Sequence, residues 1–157
     1  MNRQLPQHQP RKRFGQNFLQ DAAVIDRITA AVHPQSDEHL VEIGPGQGAL
    51  TTALLGSGCT LDVIELDRDL VPGLLASFGL TPGFKLHSAD ALNFDFSSLV
   101  KCTPAAPDPR DQRLRVVGNL PYNISTPLIF KLLENSSIIQ DMHFMLQLEV
   151  VQRLAAS

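Results

Sequence analysis

Two glycines and a later acidic residue have the types and spacing of a nucleotide-binding site. Gly44 and Gly46 follow a short apolar run at residues 40–43, and Ala49 opens a stretch of helical character. Glu65 lies at the end of the next apolar run, 19 residues beyond Gly46. Glycine in a strand-to-helix turn lets the backbone approach a ligand closely, and a carboxylate at that distance accepts hydrogen bonds from ribose hydroxyls. The pattern predicts a site for the nucleoside part of a cofactor.

The charges near this turn favour a cofactor without phosphate groups. Glu42 lies two residues before Gly44, close to where a dinucleotide places its pyrophosphate. A carboxylate there repels phosphate, whereas S-adenosylmethionine carries a sulfonium and an ammonium group instead. We therefore interpret Glu42, Glu65 and Asp90 as features of a site for S-adenosylmethionine rather than a nicotinamide dinucleotide. Asp90 is expected to accept a hydrogen bond from the adenine amine, and its alternative role is to cap a turn.

The segment Asn-Leu-Pro-Tyr at residues 119–122 has the groups needed to act on an adenine amine. The lone pair of that amine is delocalised into the ring, so two acceptors that hold its protons would make it a better nucleophile. The Asn119 side-chain oxygen is one candidate, and a backbone carbonyl of the turn that Pro121 stiffens is the other. Tyr122 offers an aromatic face on which an unstacked base can lie. Methyl transfer by in-line displacement depends mainly on positioning and electrostatics.

These groups all follow predicted strands of an alternating pattern. Asp21 is expected to cap a helix that ends at His33 and Pro34, and a later helix is expected to start at Thr126 and Pro127. A helix from Asp67 is interrupted in the prediction by Pro72 and Gly73. The remaining predictions are strands at 40–43, 61–66, 84–87, 114–118 and 142–146, and helices at 49–55 and after 148.

Strands that alternate with helices predict an α/β fold, with a doubly wound, mostly parallel sheet covered on both faces. Ligands of such sheets bind at the carboxyl ends of the strands. The glycine turn, Glu65, Asp90 and Asn119 all lie at such ends. With the glycine turn after the first strand, the predicted fold is Rossmann-like.

Composition and charge narrow the class of protein. The chain has 157 residues, of which 43% are hydrophobic and 18% charged, which is typical of one globular domain. The N-terminus has no apolar signal core, no run reaches the length of a membrane span, and the two cysteines fit no disulfide framework. We therefore expect a cytoplasmic protein without membrane contact. The five histidines show no ligand spacing, so no metal site is expected.

The net charge of −3 conceals an uneven distribution. Residues 1–20 contain four basic and no acidic side chains, which leaves nine basic against sixteen acidic residues in the remainder. A basic arm on an acidic body indicates contact with a polyanion. We divide the chain into this arm, residues 1–20, and a Rossmann-like domain, residues 21–157. Arg110, Arg113 and Arg115 are interpreted as a solvated cluster before a strand, with RNA phosphate contact as the alternative.

Four motifs, taken together, resemble the rRNA adenine N6-dimethyltransferase family, and in particular its small-subunit branch. They occur in the family's order and are RKRFGQNFL at 11–19, VEIGPG at 41–46, VIELD at 63–67 and GNLPYNIST at 118–126. The resemblance implies the Rossmann-like fold of S-adenosylmethionine-dependent methyltransferases. It also implies transfer of four methyl groups from S-adenosylmethionine to two adjacent adenines in the 3′-terminal hairpin of 16S rRNA, late in assembly of the small ribosomal subunit.

The resemblance also implies roles for individual residues. Asn119 and Tyr122 match the positions that hold the target base. The basic arm is expected to fold over the cofactor, and the cofactor contacts of the family fall on Asn17, Leu19, Gly44, Glu65, Asp90 and Asn119.

The chain departs from the family in two respects. Members typically carry a lysine where this chain has Leu148, so one positive charge expected near RNA is missing. Members also continue through two further strands and a helical C-terminal domain, so we expect this chain to be an N-terminal portion of a protein that is monomeric at full length.

Three other functions remain open from the sequence. The first is dimethylation of one large-subunit rRNA adenine, the activity of the antibiotic-resistance group. The second is an assembly factor whose binding to the immature subunit matters more than its chemistry. The third is a nicotinamide-dependent oxidoreductase, against which Glu42 and the Asn-Leu-Pro-Tyr segment argue.

Overall fold

A computed structural model describes residues 20–100, 112–146 and 148–156, in which there are five strands and five α-helices. They alternate along the chain except between the third and fourth strands, where the described residues form two short 3₁₀ turns. None of the helices in those ranges is long and apolar enough to cross a membrane. The elements are α1 (Ala22–Val32), β1 (His39–Ile43), α2 (Ala49–Leu55), β2 (Thr60–Glu65), α3 (Val71–Phe78), β3 (Phe84–Ser88), β4 (Leu114–Asn119), α4 (Ser125–Glu134), β5 (Ile139–Met145) and α5 (Leu148–Ala155).

The strands form one parallel sheet in the order β3-β2-β1-β4-β5. Chain order and sheet order reverse direction at β1, which lies between β2 and β4. Ile43, at the end of β1, is paired with Ile64 on one side and Gly118 on the other, so the three central strands end at nearly the same level. A crevice forms at such a reversal point because the loops after the two neighbouring strands diverge to opposite faces.

Side chains from β1 alternate between two apolar cores, one on each face of the sheet. Leu40 packs on the face covered by α1 and α2, with Leu54 and Val63. Val41 and Ile43 face the other way and pack in a cluster with Leu128 and Leu132 of α4. Burial on both faces explains why the strands read as apolar runs without a polar side.

The boundaries of α1 and α2 are as the sequence predicts. The Asp21 side chain accepts hydrogen bonds from the backbone N–H groups of Ala23 and Val24, and His33 ends α1 in a left-handed conformation. The structure places α2 at Ala49–Leu55, followed by Gly56. An N-cap carboxylate satisfies donors that have no intrahelical acceptor, which fixes where the helix begins.

The starts of α3 and α4 differ from the prediction. Pro72 does not interrupt a helix, because α3 begins only at Val71 and the proline lies in its first turn, where no backbone N–H is required. Thr126 does not cap α4, which begins one residue earlier at Ser125, after Ile124 and without a side-chain cap. The turn that precedes α4, rather than a capping hydroxyl, sets its start.

Arg115 is buried, contrary to the solvated cluster expected from the sequence. Its guanidinium donates to Asp141 at 3.0 Å, to Glu38 at 3.0 Å and to the carbonyl of Val32 at 2.6 Å. The hydrogen bonds that Arg115 donates to Asp141 are the main reason why the pKa of Arg115 is raised. These contacts join β4 to β5 and to the end of α1. Arg113 is exposed, and Arg110 lies outside the described residues.

Two histidines that look isolated in the sequence meet one buried carboxylate. Asp62 contacts Nε2 of His39 at 2.5 Å and Nε2 of His87 at 2.7 Å. Burial by itself would raise the pKa of Asp62. The hydrogen bonds and charges of the two histidines outweigh this effect, so the pKa is lowered. The cluster joins the first three strands, from His39 at the start of β1 to His87 near the end of β3. Among the residues that the structure describes, no group of three or more His, Cys, Asp or Glu is arranged to hold a metal ion.

Candidate functional site

A cleft opens at the carboxyl ends of the central strands, where the topology predicts a ligand site. It contains about 630 Å³ of space, part of it open to solvent. The lining comes from the ends of β1, β2 and β4 and from the segments that follow β1, β2, β3 and β4. The lining residues are Ile43, Gly44, Gly46, Ile64, Glu65, Leu66, Ala89, Asp90, Ala91, Asn119, Pro121, Asn123 and Ile124.

The floor of the cleft is the glycine turn between β1 and α2. Gly44, Gly46 and Gly48 have positive φ angles of 66°, 59° and 94°. Residues with a Cβ atom rarely adopt such backbone angles. The N–H of Gly44 donates to the carbonyl of Ile64 at 3.0 Å, which ties the turn to β2. The sequence therefore has glycine where the backbone must turn sharply beside the cleft.

Glu65 lies at the end of β2, buried against the glycine turn. One carboxylate oxygen accepts a hydrogen bond from Gly46 N–H at 3.3 Å, and the other accepts one from Asp67 N–H at 2.9 Å. Burial raises the pKa of Glu65, and the backbone N–H groups act in the opposite direction. Each carboxylate oxygen has two lone pairs, so the carboxylate can hold the turn and still accept from a ligand in the cleft.

Asp90 lies at the cleft and caps a turn, which was one of the two roles that the sequence left open. It lines the cleft and also precedes a short 3₁₀ turn at Ala91–Asn93. Its carboxylate accepts from the backbone N–H of Leu92 at 3.0 Å and from the side-chain amide of Asn93 at 3.2 Å. The capping contacts hold the Asp90 carboxylate at the rim of the cleft.

Glu42 lies outside the lining of the cleft, contrary to its expected part in the acidic site. It faces α2 and is buried, and the hydroxyl of Thr51 donates to it at 2.5 Å. Burial raises its pKa to about 7, with a further contribution from the charge of Glu65. Glu42 is therefore only partly ionised at neutral pH. The negative charge of the cleft itself comes from Glu65 and Asp90.

Asn119 and Tyr122 lie at the end of β4. Asn119 lines the cleft as the last residue of the strand. The next residues form a tight turn, in which Ile124 N–H donates to the carbonyl of Pro121 at 3.2 Å and the Ser125 hydroxyl donates to the carbonyl of Tyr122 at 3.2 Å. Tyr122 remains 55% exposed. An amide thus lies in the cleft and an aromatic ring lies on the surface three residues further along.

Sequence reasoning missed much of the lining. Ile43, Ile64 and Leu66 give the cleft apolar walls, and Asn123 adds a second amide. Their sequence signal is their position, because each adjoins or closely follows a predicted strand end. Asn17 and Leu19, which the resemblance assigns to the cofactor site, lie outside the described residues.

A comparison with protein families decides which group this architecture belongs to. A sequence model of the family described as ribosomal RNA adenine dimethylase matches residues 7–157, which is nearly the whole chain and includes every residue of the cleft. The chain belongs to the ribosomal RNA adenine dimethylase family. The resemblance seen in the sequence motifs is therefore confirmed.

Relatives of this dimethylase-family chain agree with that result. It is 63% identical over 154 residues to a protein of Pseudomonas aeruginosa called ribosomal RNA small subunit methyltransferase A. The match covers 98% of this chain and 54% of the relative. The chain thus spans about half the length of the curated relatives it matches.

Solved structures confirm the predicted fold. The structure resembles that of the 23S rRNA methyltransferase ErmE, with a TM-score of 0.67 and 27% identity, over 85% of this chain and 49% of that one. It also resembles a dimethyladenosine transferase from Plasmodium falciparum, with a TM-score of 0.70 and 25% identity, over 90% of this chain and 47% of that one. The five-stranded parallel sheet of this dimethylase-family chain is therefore part of a Rossmann-like methyltransferase fold.

Proposed function

We propose that this chain provides the cofactor-binding and base-binding portion of an enzyme that dimethylates adenine N6 amines in small-subunit ribosomal RNA. The methyl donor is S-adenosylmethionine, and the substrates are two adjacent adenosines in the 3′-terminal hairpin of 16S rRNA within the immature subunit. The observation that carries the proposal is the cleft at the strand ends, where Glu65, Asp90 and Asn119 converge beside the exposed ring of Tyr122.

The lining of the cleft fits S-adenosylmethionine, which supplies an electrophilic methyl group on its sulfonium. The glycine turn gives close access to backbone, Glu65 is placed for ribose hydroxyls, and Asp90 is placed for the adenine amine. The described lining residues include two carboxylates and no lysine or arginine. Such a lining disfavours the pyrophosphate of a nicotinamide dinucleotide, which needs positive or N–H-rich surroundings.

The end of β4 supplies the groups for the target base. Asn119 and a backbone carbonyl of the following turn accept hydrogen bonds from the N6 amine and hold it towards the methyl donor. Tyr122 stacks on the flipped adenine, a role that suits a ring exposed at the surface beside a cleft. The target amine loses a proton once the new C–N bond forms, and no strong general base is required.

The remaining parts of the proposal concern the rest of the chain and its setting. The basic arm, residues 1–20, covers the methionine end of the cofactor through Asn17 and Leu19 and contacts RNA. We favour a substrate in small-subunit rRNA over one in large-subunit rRNA. The chain is 63% identical to a small-subunit methyltransferase but 27% identical to ErmE, a 23S rRNA methyltransferase. We place the enzyme in the cytoplasm, as a monomer at full length.

Methyl transfer tests the proposal directly. Immature small subunits and, in separate reactions, protein-free 23S rRNA are incubated with tritium-labelled S-adenosylmethionine and either this chain or this chain joined to the second half of the Pseudomonas aeruginosa relative. We expect the joined protein to label two adjacent adenosines of 16S rRNA. Labelling of 23S rRNA instead would assign the chain to the large-subunit group, and the absence of labelling would contradict the proposal.

Variants at the end of β4 separate binding from chemistry. In the joined protein, Asn119→Ala and Tyr122→Ala are expected to reduce the transfer rate by about a hundredfold or more, while binding of S-adenosylhomocysteine changes less. Tyr122→Phe keeps the aromatic face and serves as the matched control, with most activity retained. A Tyr122→Ala variant as active as Tyr122→Phe would exclude the stacking role.

A further inference from the structure

The ammonium group of Lys131 donates hydrogen bonds to three backbone carbonyls of one short segment at the edge of the cleft. Lys131 lies in α4, and its Nζ is 3.2 Å from the carbonyl oxygen of Ala91, 2.8 Å from that of Leu92 and 2.6 Å from that of Phe94. The same Nζ is 5.4 Å from the centre of the Phe96 ring. These four partners are uncharged. The ammonium group therefore binds backbone carbonyls and an aromatic ring, and its interaction with them is not an ion pair.

The turn that Lys131 holds also carries Asp90. Asp90 precedes the 3₁₀ turn Ala91–Asn93 and caps it through the N–H of Leu92. The position of the Asp90 carboxylate therefore depends on the backbone of the residues that Lys131 binds. Asp90 and Ala91 both line the cleft, so a displacement of this turn would move a polar group and an apolar wall together.

We propose that Lys131 is a positioning residue for adenine recognition, which acts by holding the turn that aims Asp90 into the cleft. This inference rests on the proposed function, because it takes the cleft to bind an adenosyl cofactor. Lys131 itself lies on α4 and does not line the cleft.

Three converging hydrogen bonds distinguish this role from simple packing of α4. An apolar side chain would suffice to cover the buried ring of Phe96, whereas a cation with three carbonyl acceptors fixes the orientation of the turn as well as its distance. Hydrogen bonds with a charged donor are also about twice as strong as neutral ones. Burial lowers the pKa of Lys131, while the charges of Asp90 and Asp95 act to raise it, so the ammonium lies in the field of the carboxylate that it positions.

Helix α4 links the Asp90 turn to the end of β4. The helix begins directly after the turn that contains Tyr122, and Lys131 lies six residues into it from Ser125. A helix of this length is rigid, so the base-binding end of β4 and the Asp90 turn are both positioned relative to α4. Lys131 joins the Asp90 turn to the helix by hydrogen bonds, in addition to the apolar packing between them.

A pair of ligands that differ at one group tests the inference. The dissociation constants of S-adenosylhomocysteine and of its deamino analogue, in which hydrogen replaces the C6 amine, are measured by calorimetry. The proteins are the wild type, Lys131→Met, Asp90→Ala, the double variant and Lys85→Met. Lys85 is exposed and far from the cleft in the fold, at the start of β3, so its variant is the matched control.

We expect the wild type and Lys85→Met to prefer the ligand with the amine by about tenfold or more, as one hydrogen bond to a carboxylate provides. In Lys131→Met and in Asp90→Ala, this preference falls to within about threefold of unity. The double variant loses no further preference, because both changes remove the same interaction. Thermal unfolding of each variant shows whether its fold is kept.

Other results would overturn the inference. A Lys131→Met variant that keeps the preference, or that weakens both ligands equally, would show that Lys131 has no part in adenine recognition while leaving the proposed function intact. A wild type that binds neither ligand would overturn the proposed function and the role of Lys131 with it. If Lys131→Met does not fold, Lys131→Gln, which keeps a neutral donor, is judged by the same ratio.

Discussion

Glu42 and Glu65 are both buried glutamates on adjacent strands, yet their surroundings give them different chemistry. Glu65 lies at a strand end, where two backbone N–H groups stabilise its charge. Glu42 lies within the core, with the hydroxyl of Thr51 as its hydrogen-bond donor, and burial raises its pKa to about 7. Residue type alone therefore does not decide which carboxylate serves the ligand.

The Glu42 carboxyl should make stability depend on pH. In the folded state Glu42 keeps its proton to a pH of about 7, whereas its ordinary value is 4.5. The stabilisation from this proton is present below pH 4.5 and is lost as the pH rises through 7. We expect Glu42→Gln, which retains an acceptor for Thr51, to be more stable than the wild type by about 3 kcal/mol at pH 8 and to differ little below pH 4.5.

Urea unfolding of the two proteins between pH 4 and pH 8 measures this difference. The comparison cancels the titration of all other groups, since the proteins differ at one position. A difference in the free energy of unfolding that stays constant across this range would show that Glu42 is ionised in the folded protein as it is in the unfolded chain.

The turn between β1 and α2 shows how elements constrain the site. Gly48, the last residue before α2, has a φ of 94°, and a Cβ there would lie 2.5 Å from the ring of Phe78 in α3. Phe78 in turn packs on Phe84 of β3, with ring centres 5.6 Å apart. The turn beneath the cleft is therefore held from the side of α3 as well as by β2.

Two glycine-to-alanine changes should have opposite effects. Gly48→Ala is expected to reduce the free energy of unfolding by about 1 to 3 kcal/mol, because alanine is strained at positive φ and displaces Phe78. Gly73 lies in α3, and a Cβ there would meet no atom within 4 Å. Gly73→Ala should increase the free energy of unfolding by up to about 1 kcal/mol.

Urea unfolding monitored by circular dichroism measures both changes. Equal effects of the two substitutions would contradict the structure of this turn. A Gly48→Ala variant as stable as the wild type would show that the turn adopts another conformation in solution.

At the scale of the whole molecule, one cleft joins segments that are far apart in the chain. The lining extends from Ile43 to Ile124 and includes parts that follow four of the five strands. The reversal of strand order at β1 brings these segments together. A ligand in the cleft should consequently stabilise the fold as a unit rather than one loop.

Cofactor binding should therefore raise the stability of the molecule. S-adenosylhomocysteine at 100 times its dissociation constant is expected to increase the free energy of unfolding by about 2.7 kcal/mol. NAD at the same concentration should have little effect, because the cleft presents carboxylates to its pyrophosphate. Urea unfolding with each ligand measures the two effects, and stabilisation by NAD alone would favour the oxidoreductase alternative.

The sequence by itself determined the order of elements and the positions of the strand ends. Apolar runs with glycine or polar residues after them identify Gly44, Glu65, Asp90 and Asn119, since period and turn chemistry are local properties of a chain. The α1 cap at Asp21 is of the same kind. These features depend on neighbours within a few residues, so they can be read without knowing the fold.

Only the tertiary structure decided which side chains meet. It moved Glu42 from the cleft into the core, buried Arg115 between Glu38 and Asp141, and placed Lys131 on the carbonyls beside Asp90. Burial and hydrogen bonding between residues tens of positions apart depend on how strands are ordered and how helices pack on them. The charge of a buried group follows from those contacts, so its chemistry could not be assigned from its place in the sequence.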